Sequence, residues 1–189
     1  MTTIAAICIG DEIAIASDGA CSRGGETVPS PRRVQKIKTW GHGVAIGVAG
    51  DLRVANLVCG IPIPPSEIEN TWVAVKSILQ GDGITFTPNE AGAATCGSEF
   101  IIVANGVLYE VDGSGGMYAL EKSEPAAIGS GAAFALGAMD YMMASPSLTA
   151  SDVVGDAVRC AIRRDPWTGG DVYVAKIKIG EKRFSGGWI

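Results

Sequence analysis

The chain alternates short apolar runs with glycine-rich breaks, and the length and spacing of each run separate strand from helix. "TIAAICI" (3–9) and "EIAIAS" (12–17) flank Gly10-Asp11, a favoured two-residue hairpin connection, so the two runs are predicted to pair antiparallel. With residue 9 facing residue 12, every cross-strand pair sums to 21, which sets Thr3 opposite Asp18 and Thr2 beside it. Residues 19–33 read as a loop. "VQKIK" (34–38) predicts a strand with Val34, Lys36 and Lys38 on one face, and "GVAIGVAG" (43–50) predicts another.

Residues 51–59 predict a short helix stopped by Gly60 and "IPIPP". A second helix is expected from Ser66, whose Glu69 completes a capping box, with Ile68, Trp72, Val75 and Leu79 at helical spacing. Residues 81–97 read as mostly irregular. "FIIVAN" and "VLYEVD" are strands joined through the hairpin turn Asn105-Gly106. Helices follow at "GAAFALGAMDYMMA" and, behind a Thr149…Asp152 capping box, at "DVVGDAVRCAIR", before a last strand "VYVAKIKI". Tight turns make the strands antiparallel, yet several are apolar without alternation, so both of their faces must be covered. The expectation is an α+β fold of two stacked antiparallel sheets with helices outside, a four-layer α/β/β/α sandwich.

Composition narrows the function. The chain has 189 residues and no long Pro/Ser-rich linker, which fits a single domain over 1–189. Fifteen Lys and Arg against twenty Asp and Glu give a net charge of -5, which argues against nucleic-acid binding. No apolar run approaches the ~20 residues of a membrane span, and the start lacks the basic residues and cleavage site of a signal peptide, so a soluble, cytoplasmic protein is expected. The five cysteines are widely spaced and never in a C-x-x-C pair, which argues against a disulfide framework or a zinc site.

The single histidine, His42, sits in a turn-like "WGHGV", so a Ser-His-Asp triad and a histidine metal site are poorly supported. The glycines miss the dinucleotide and P-loop spacings. What remains is a threonine at the head of the chain. With Met1 removed, Thr2 carries a hydroxyl nucleophile and, on the same residue, an α-amine able to act as its base. A nearby ammonium lowers the pKa of such an amine, and Lys36 on an otherwise apolar strand is the candidate, with Asp18 as its counter-ion. On the residues alone, the same three side chains also read as a strand start, a strand end and a solvated lysine.

"MTTI", "AIASDG", "QKIK", "IGVAGD", "AAIGSG" and "RDPWTGGDVYV", in that order, resemble the proteasome β-subunit and HslV family of N-terminal-nucleophile hydrolases. The resemblance implies the four-layer fold and a threonine endopeptidase of a self-compartmentalising complex. It assigns Thr2 as nucleophile, Asp18 and Lys36 as its charged partners, Gly47 as the oxyanion-hole glycine, and Ser130, Asp165 and Thr168 as the polar shell of the terminal amine. Ser22, Gly47 and Ala49 match positions that align an extended peptide, and Ala45 matches the specificity-pocket position. Carbonyls of Ile162, Asp165 and Thr168 match a structural cation site, monovalent or divalent; no other cofactor is implied. The implied partners are further copies of the chain in stacked rings, a peptide or unfolded-protein substrate, and an ATP-dependent unfoldase, this chain having no ATP motif of its own. The helix at 51–59 is shorter than the family's, Thr168 stands where serine is usual, residues 24–33 add loop, and the tail 180–189 matches nothing. The alternatives are an amidohydrolase acting on a small amide in the same fold and a silent ring or scaffold subunit that keeps Met1.

Overall fold

The structure is a computed structural model and describes residues 2–23, 26–28, 34–40, 43–62, 67–145, 147–180 and 184–188. In chain order the first half runs β1 (Thr3–Ile9), β2 (Glu12–Asp18), β3 (Cys21–Arg23), β4 (Glu26–Val28), β5 (Ile37–Trp40), β6 (Val44–Ala49), α1 (Leu52–Cys59) and α2 (Ile68–Gly81). The second half runs β7 (Thr87–Pro88), β8 (Ala94–Thr95), β9 (Glu99–Ala104), β10 (Val107–Val111), β11 (Met117–Ala119), β12 (Ala126–Gly129), α3 (Ala132–Met142), α4 (Ala150–Arg164), β13 (Val172–Lys178) and β14 (Phe184–Trp188).

Two five-stranded antiparallel sheets carry the architecture, ordered β12-β1-β2-β13-β14 and β11-β10-β9-β6-β5. The strand pattern explains why they stack. In β1, Ile4, Ala6 and Cys8 meet Ala45, Ile101 and Val103 of the other sheet, while Ala5 and Ile7 point the other way and pack under α3 and α4. In β6 and β9, Val44, Ile46, Val48, Phe100 and Ile102 pack under α1 and α2. Each central strand is therefore buried on both faces, as its unbroken apolar run requires. The layers are helix, sheet, sheet, helix. Among the described residues no helix is long and apolar enough to cross a membrane.

The expected β1–β2 register holds, with Ile4 opposite Ser17 and Ile9 opposite Glu12. Asn105 (φ 50°) and Gly106 (φ 74°) form the expected turn, and the Thr149–Asp152 capping box opens α4. One reading is corrected. The strand expected at 34–38 begins only at Ile37, so Val34 and Lys36 are freed to face a pocket. The region 81–97 is mostly irregular, as expected, with one small hairpin, β7–β8, and the tail, which the sequence left without a reading, supplies β14, an edge strand paired with β13. The Ser66 cap lies outside the described residues, and Glu67 at the head of α2 makes no side-chain cap.

One contact fixes the end of the sandwich where the chain starts. Gly129 closes β12 opposite Thr3 with φ +91°, and a Cβ there would lie 2.1 Å from the Thr2 carbonyl oxygen. Gly129→Ala therefore carries both backbone strain and a clash, and should lower stability by about 1–3 kcal/mol or more. Gly137→Ala in α3, where nothing lies within 4 Å of the new Cβ, should raise it by about 0.5–1 kcal/mol. Urea unfolding of the two variants checks both signs; equal midpoints would contradict the packing at Thr2.

Candidate active site

The β1–β2 hairpin brings both ends of the site together. Thr2 lies one residue ahead of β1 and is 5% exposed; Asp18 closes β2 and is fully buried. Asp18 Oδ1 accepts the Thr3 N–H at 2.9 Å and the Lys36 ammonium at 2.7 Å, while Oδ2 accepts the N–H groups of Gly169 at 3.2 Å and Ala20 at 3.3 Å. Four donors thus occupy the acceptor directions of one carboxylate. The loops at 19–20 and 169 are tied further by the Gly169 carbonyl, which accepts from both Gly19 and Ala20.

Lys36 reaches this carboxylate from just ahead of β5, where its carbonyl accepts the Val48 N–H at 2.9 Å. It is 4% exposed. Burial pushes its ammonium below the ordinary lysine range, and the Asp18 carboxylate partly offsets that shift. The cation and Thr2 line the same pocket, walled by Ala20, Cys21, Val34, Val48 and Ala55.

A second polar group stands beside the first. Asp165, the C-cap of α4, accepts on Oδ2 from Ser130 Oγ at 2.6 Å and Thr168 Oγ1 at 2.5 Å, and on Oδ1 from the Trp167 N–H at 3.2 Å. Burial raises its carboxyl, but hydrogen bonds from the Ser130 and Thr168 hydroxyls and the Trp167 N–H help to hold it below the usual aspartate value. Thr168 Oγ1 also lies 2.7 Å from Thr3 Oγ1. Thr3, fully buried, is a site residue missing from the motif-based set, and its register position opposite Asp18 was the signal for it. Thr168 keeps the hydroxyl that serine would supply.

Gly47 lies in the middle of β6, paired with Ile37 and Ile101, and the direction a side chain would take from it is filled by Ile4 and Ile15 between the sheets. It lines neither cleft that contains Thr2. Gly50 lines both, at φ +131°, immediately past the end of β6. Ala45 is likewise fully buried between the sheets, and the wall next to Thr2 is made instead by Val48, Leu52 and Ala55. Ala49 does reach the site, in the second cleft, and Ser22 pairs with Thr27 in the β3–β4 hairpin just beyond Cys21. Met1 and His42 lie outside the described residues.

Ile162 sits in the last turns of α4, and the Asp165 carbonyl accepts the Thr168 N–H at 3.2 Å. Among the described residues no three His, Cys, Asp or Glu side chains gather as a metal cluster, so a cation here would rest on neutral carbonyls, the donor type that suits a hard ion.

Asp18→Asn should cost about 3–5 kcal/mol near neutral pH, because it leaves the Lys36 ammonium buried without its anion. The sign with pH follows. A lysine whose folded pKa lies below its unfolded value binds fewer protons folded than unfolded, so stability rises as pH climbs toward the ordinary lysine value of 10.5. The variant should regain stability between pH 6 and pH 10 relative to wild type, and Asp18→Asn with Lys36→Met should recover part of the loss at pH 6. Urea unfolding at both pH values tests this; a variant as stable as wild type at pH 6 would mean that the pair carries no structural weight.

Residues 97–177 match the family model described as Proteasome subunit. No curated protein matches the chain by sequence. Among solved structures, Thiobacillus denitrificans BPH aligns with a TM-score of 0.77 at 21% identity, over 95% of this chain and 99% of that one. The same protein in complex with epoxomicin gives 0.78, over 95% and 100%. Eukaryotic HslV from Trypanosoma brucei gives 0.69 at 21% identity, over 94% and 99%. At that identity the likeness establishes the fold, two antiparallel sheets between layers of helices. The match over residues 97–177 and the shared fold agree with the family that the chain's ordered motifs resemble, the proteasome β-subunit and HslV family.

Proposed function

We propose that this chain is a threonine endopeptidase of the self-compartmentalising kind, with Thr2 as nucleophile once Met1 is removed. The observation that carries the reading is the placement of Thr2 at one pocket with the buried Lys36 ammonium, itself held by Asp18. Thr2 Oγ attacks a peptide carbonyl and its proton passes to the α-amine, whose basicity near neutral pH is tuned by the Lys36 charge. The Gly50 N–H is the donor we assign to the oxyanion, a contribution of about 3–4 kcal/mol for such a group. The C–N bond then breaks, the amine returns the proton to the departing nitrogen, and water releases the acyl group from Thr2. Ser130, Asp165 and Thr168 orient the amine through their shared hydrogen bonds. Neutral carbonyls of Ile162, Asp165 and Thr168 could hold a cation, which would brace the turn after α4; no step depends on it.

The peptide's acyl side fits the first pocket, whose Ala20, Val34, Val48 and Ala55 walls favour an apolar side chain. Assembly belongs to the same reading: an open peptidase would cut indiscriminately, and a closed ring hides the site. Phe134 and Tyr141 on α3 are 42% and 85% exposed beside Cys160 of α4, a surface suited to a second copy of the chain. An ATP-dependent unfoldase would then deliver unfolded chains to the ring.

Thr2→Ala should fold normally and lose peptidase activity completely. Lys36→Ala should cut kcat by two orders of magnitude or more, and Lys36→Arg should restore little of it, because a planar guanidinium does not replace a compact ammonium against Asp18. Steady-state hydrolysis of fluorogenic peptides decides; wild-type turnover by either Thr2→Ala or Lys36→Ala would sink the assignment. Light scattering tests assembly. Particles many times 19.4 kDa are expected, and Tyr141→Asp should shift them toward smaller species, whereas a peptidase-active monomer would reject the chamber.

A further inference from the structure

Thr2 borders two clefts. The pocket described above holds the Lys36 ammonium between apolar walls. On the other side an open cleft of about 1290 Å³ runs from Thr2 past Gly129 and Ser130 to Asn89, Glu99 and Asp112. Two carboxylates line it, and no lysine or arginine does among the described residues.

Glu99 is the residue built to face a ligand there. It opens β9 opposite Ala49, is exposed, and its Oε2 accepts the Gly129 N–H at 3.0 Å across the gap between the two sheets. That bond fixes the head group beside the turn that carries Ser130, leaving its negative charge in the cleft with only a neutral partner. Asp112 adds a second charge, locked by its own turn: Oδ1 accepts Ser114 Oγ and the N–H groups of Ser114, Gly115 and Gly116. The field extends along the wall. The Glu110 carboxyl is raised first by burial and then by the like charges of Glu99 and Glu124, with the Tyr118 hydroxyl offsetting part of the rise.

Ser130 tells which half of a substrate lies here. It lines this cleft and not the first pocket, and it donates to Asp165 in the group that orients the proton-carrying amine. The departing nitrogen must take up its proton on that side, so the segment released first occupies this cleft.

We propose that the cleft selects peptides with a lysine or arginine within the first two residues beyond the broken bond, and that Glu99 is the specificity-determining residue. This rests on the reading of Thr2 as nucleophile. Three peptides with one identical apolar acyl half and Lys, Leu or Glu next to the bond are the probe. Wild type should show kcat/KM about fivefold or more higher for Lys than for Leu at low salt, with Glu lowest and the spread shrinking as salt is added. Glu99→Gln keeps an oxygen for the Gly129 N–H and removes the charge, so the preference should collapse; Glu99→Lys should reverse it. Equal rates for the three peptides in wild type, or a spread unchanged in Glu99→Gln, would overturn the proposal. Calorimetric binding of the same peptides to Thr2→Ala separates this from the chemistry. A Lys preference in binding without any turnover by wild type would overturn the peptidase and leave the cleft's selectivity standing, while equal affinities would overturn the selectivity.

Discussion

The buried Asp18–Lys36 pair is the constraint around which this end of the molecule is arranged. Two charges removed from water are costly unless each is closely matched, and here the carboxylate is matched by one ammonium and three backbone N–H groups. Those three come from the start of β1, the loop after β2 and the turn before β13, so one side chain sets the relative positions of three segments. A pair of this kind is a weak source of stability compared with apolar packing of the same volume, and its retention points to a use for the cation. In the proposed mechanism that use is to tune the Thr2 amine across the pocket that the two residues share.

The rest of the sandwich serves to deliver the chain's first residues to that cation. Sheet stacking through Ile4, Ala6, Ile101 and Val103 fixes β1, and the missing side chains of Gly129 and Gly131 let β12 and the turn into α3 close against Thr2 and Thr3. A Cβ at Gly131 would lie 2.1 Å from Thr3 Oγ1. The same closeness brings Ser130 and Asp165 alongside. The Glu99 bond to Gly129 then ties the second sheet to the first at the mouth, where both clefts open. Rigid packing on three sides and two open clefts suit a site in which an extended chain is held while one bond is cut.

Much of this was legible in residue patterns because it depends on strand register, which a hairpin turn and a period of two specify. Gly10-Asp11 alone fixes Thr3 opposite Asp18. Gly47 stands away from both clefts for a physical reason. "IGVAGD" offers two glycines three residues apart, and only the backbone separates them, one in a ladder and the other at φ +131° past the strand's end. Ala45 is kept from the clefts by the same register, since its side chain points between the sheets. β14 went unread because "FSGGW" has little apolar alternation and pairs through its backbone with β13. Glu99 carries no pattern at all; its bond to Gly129 joins residues 30 positions apart and emerges only when the sheets stack.

Mass mapping of the chain quenched in acid during turnover of a peptide ester tests the central claim most directly. The account predicts an N-terminal fragment that begins at Thr2 and carries the acyl group of the substrate. Turnover by a chain that still bears Met1, or an acyl group found on any other residue, would contradict it.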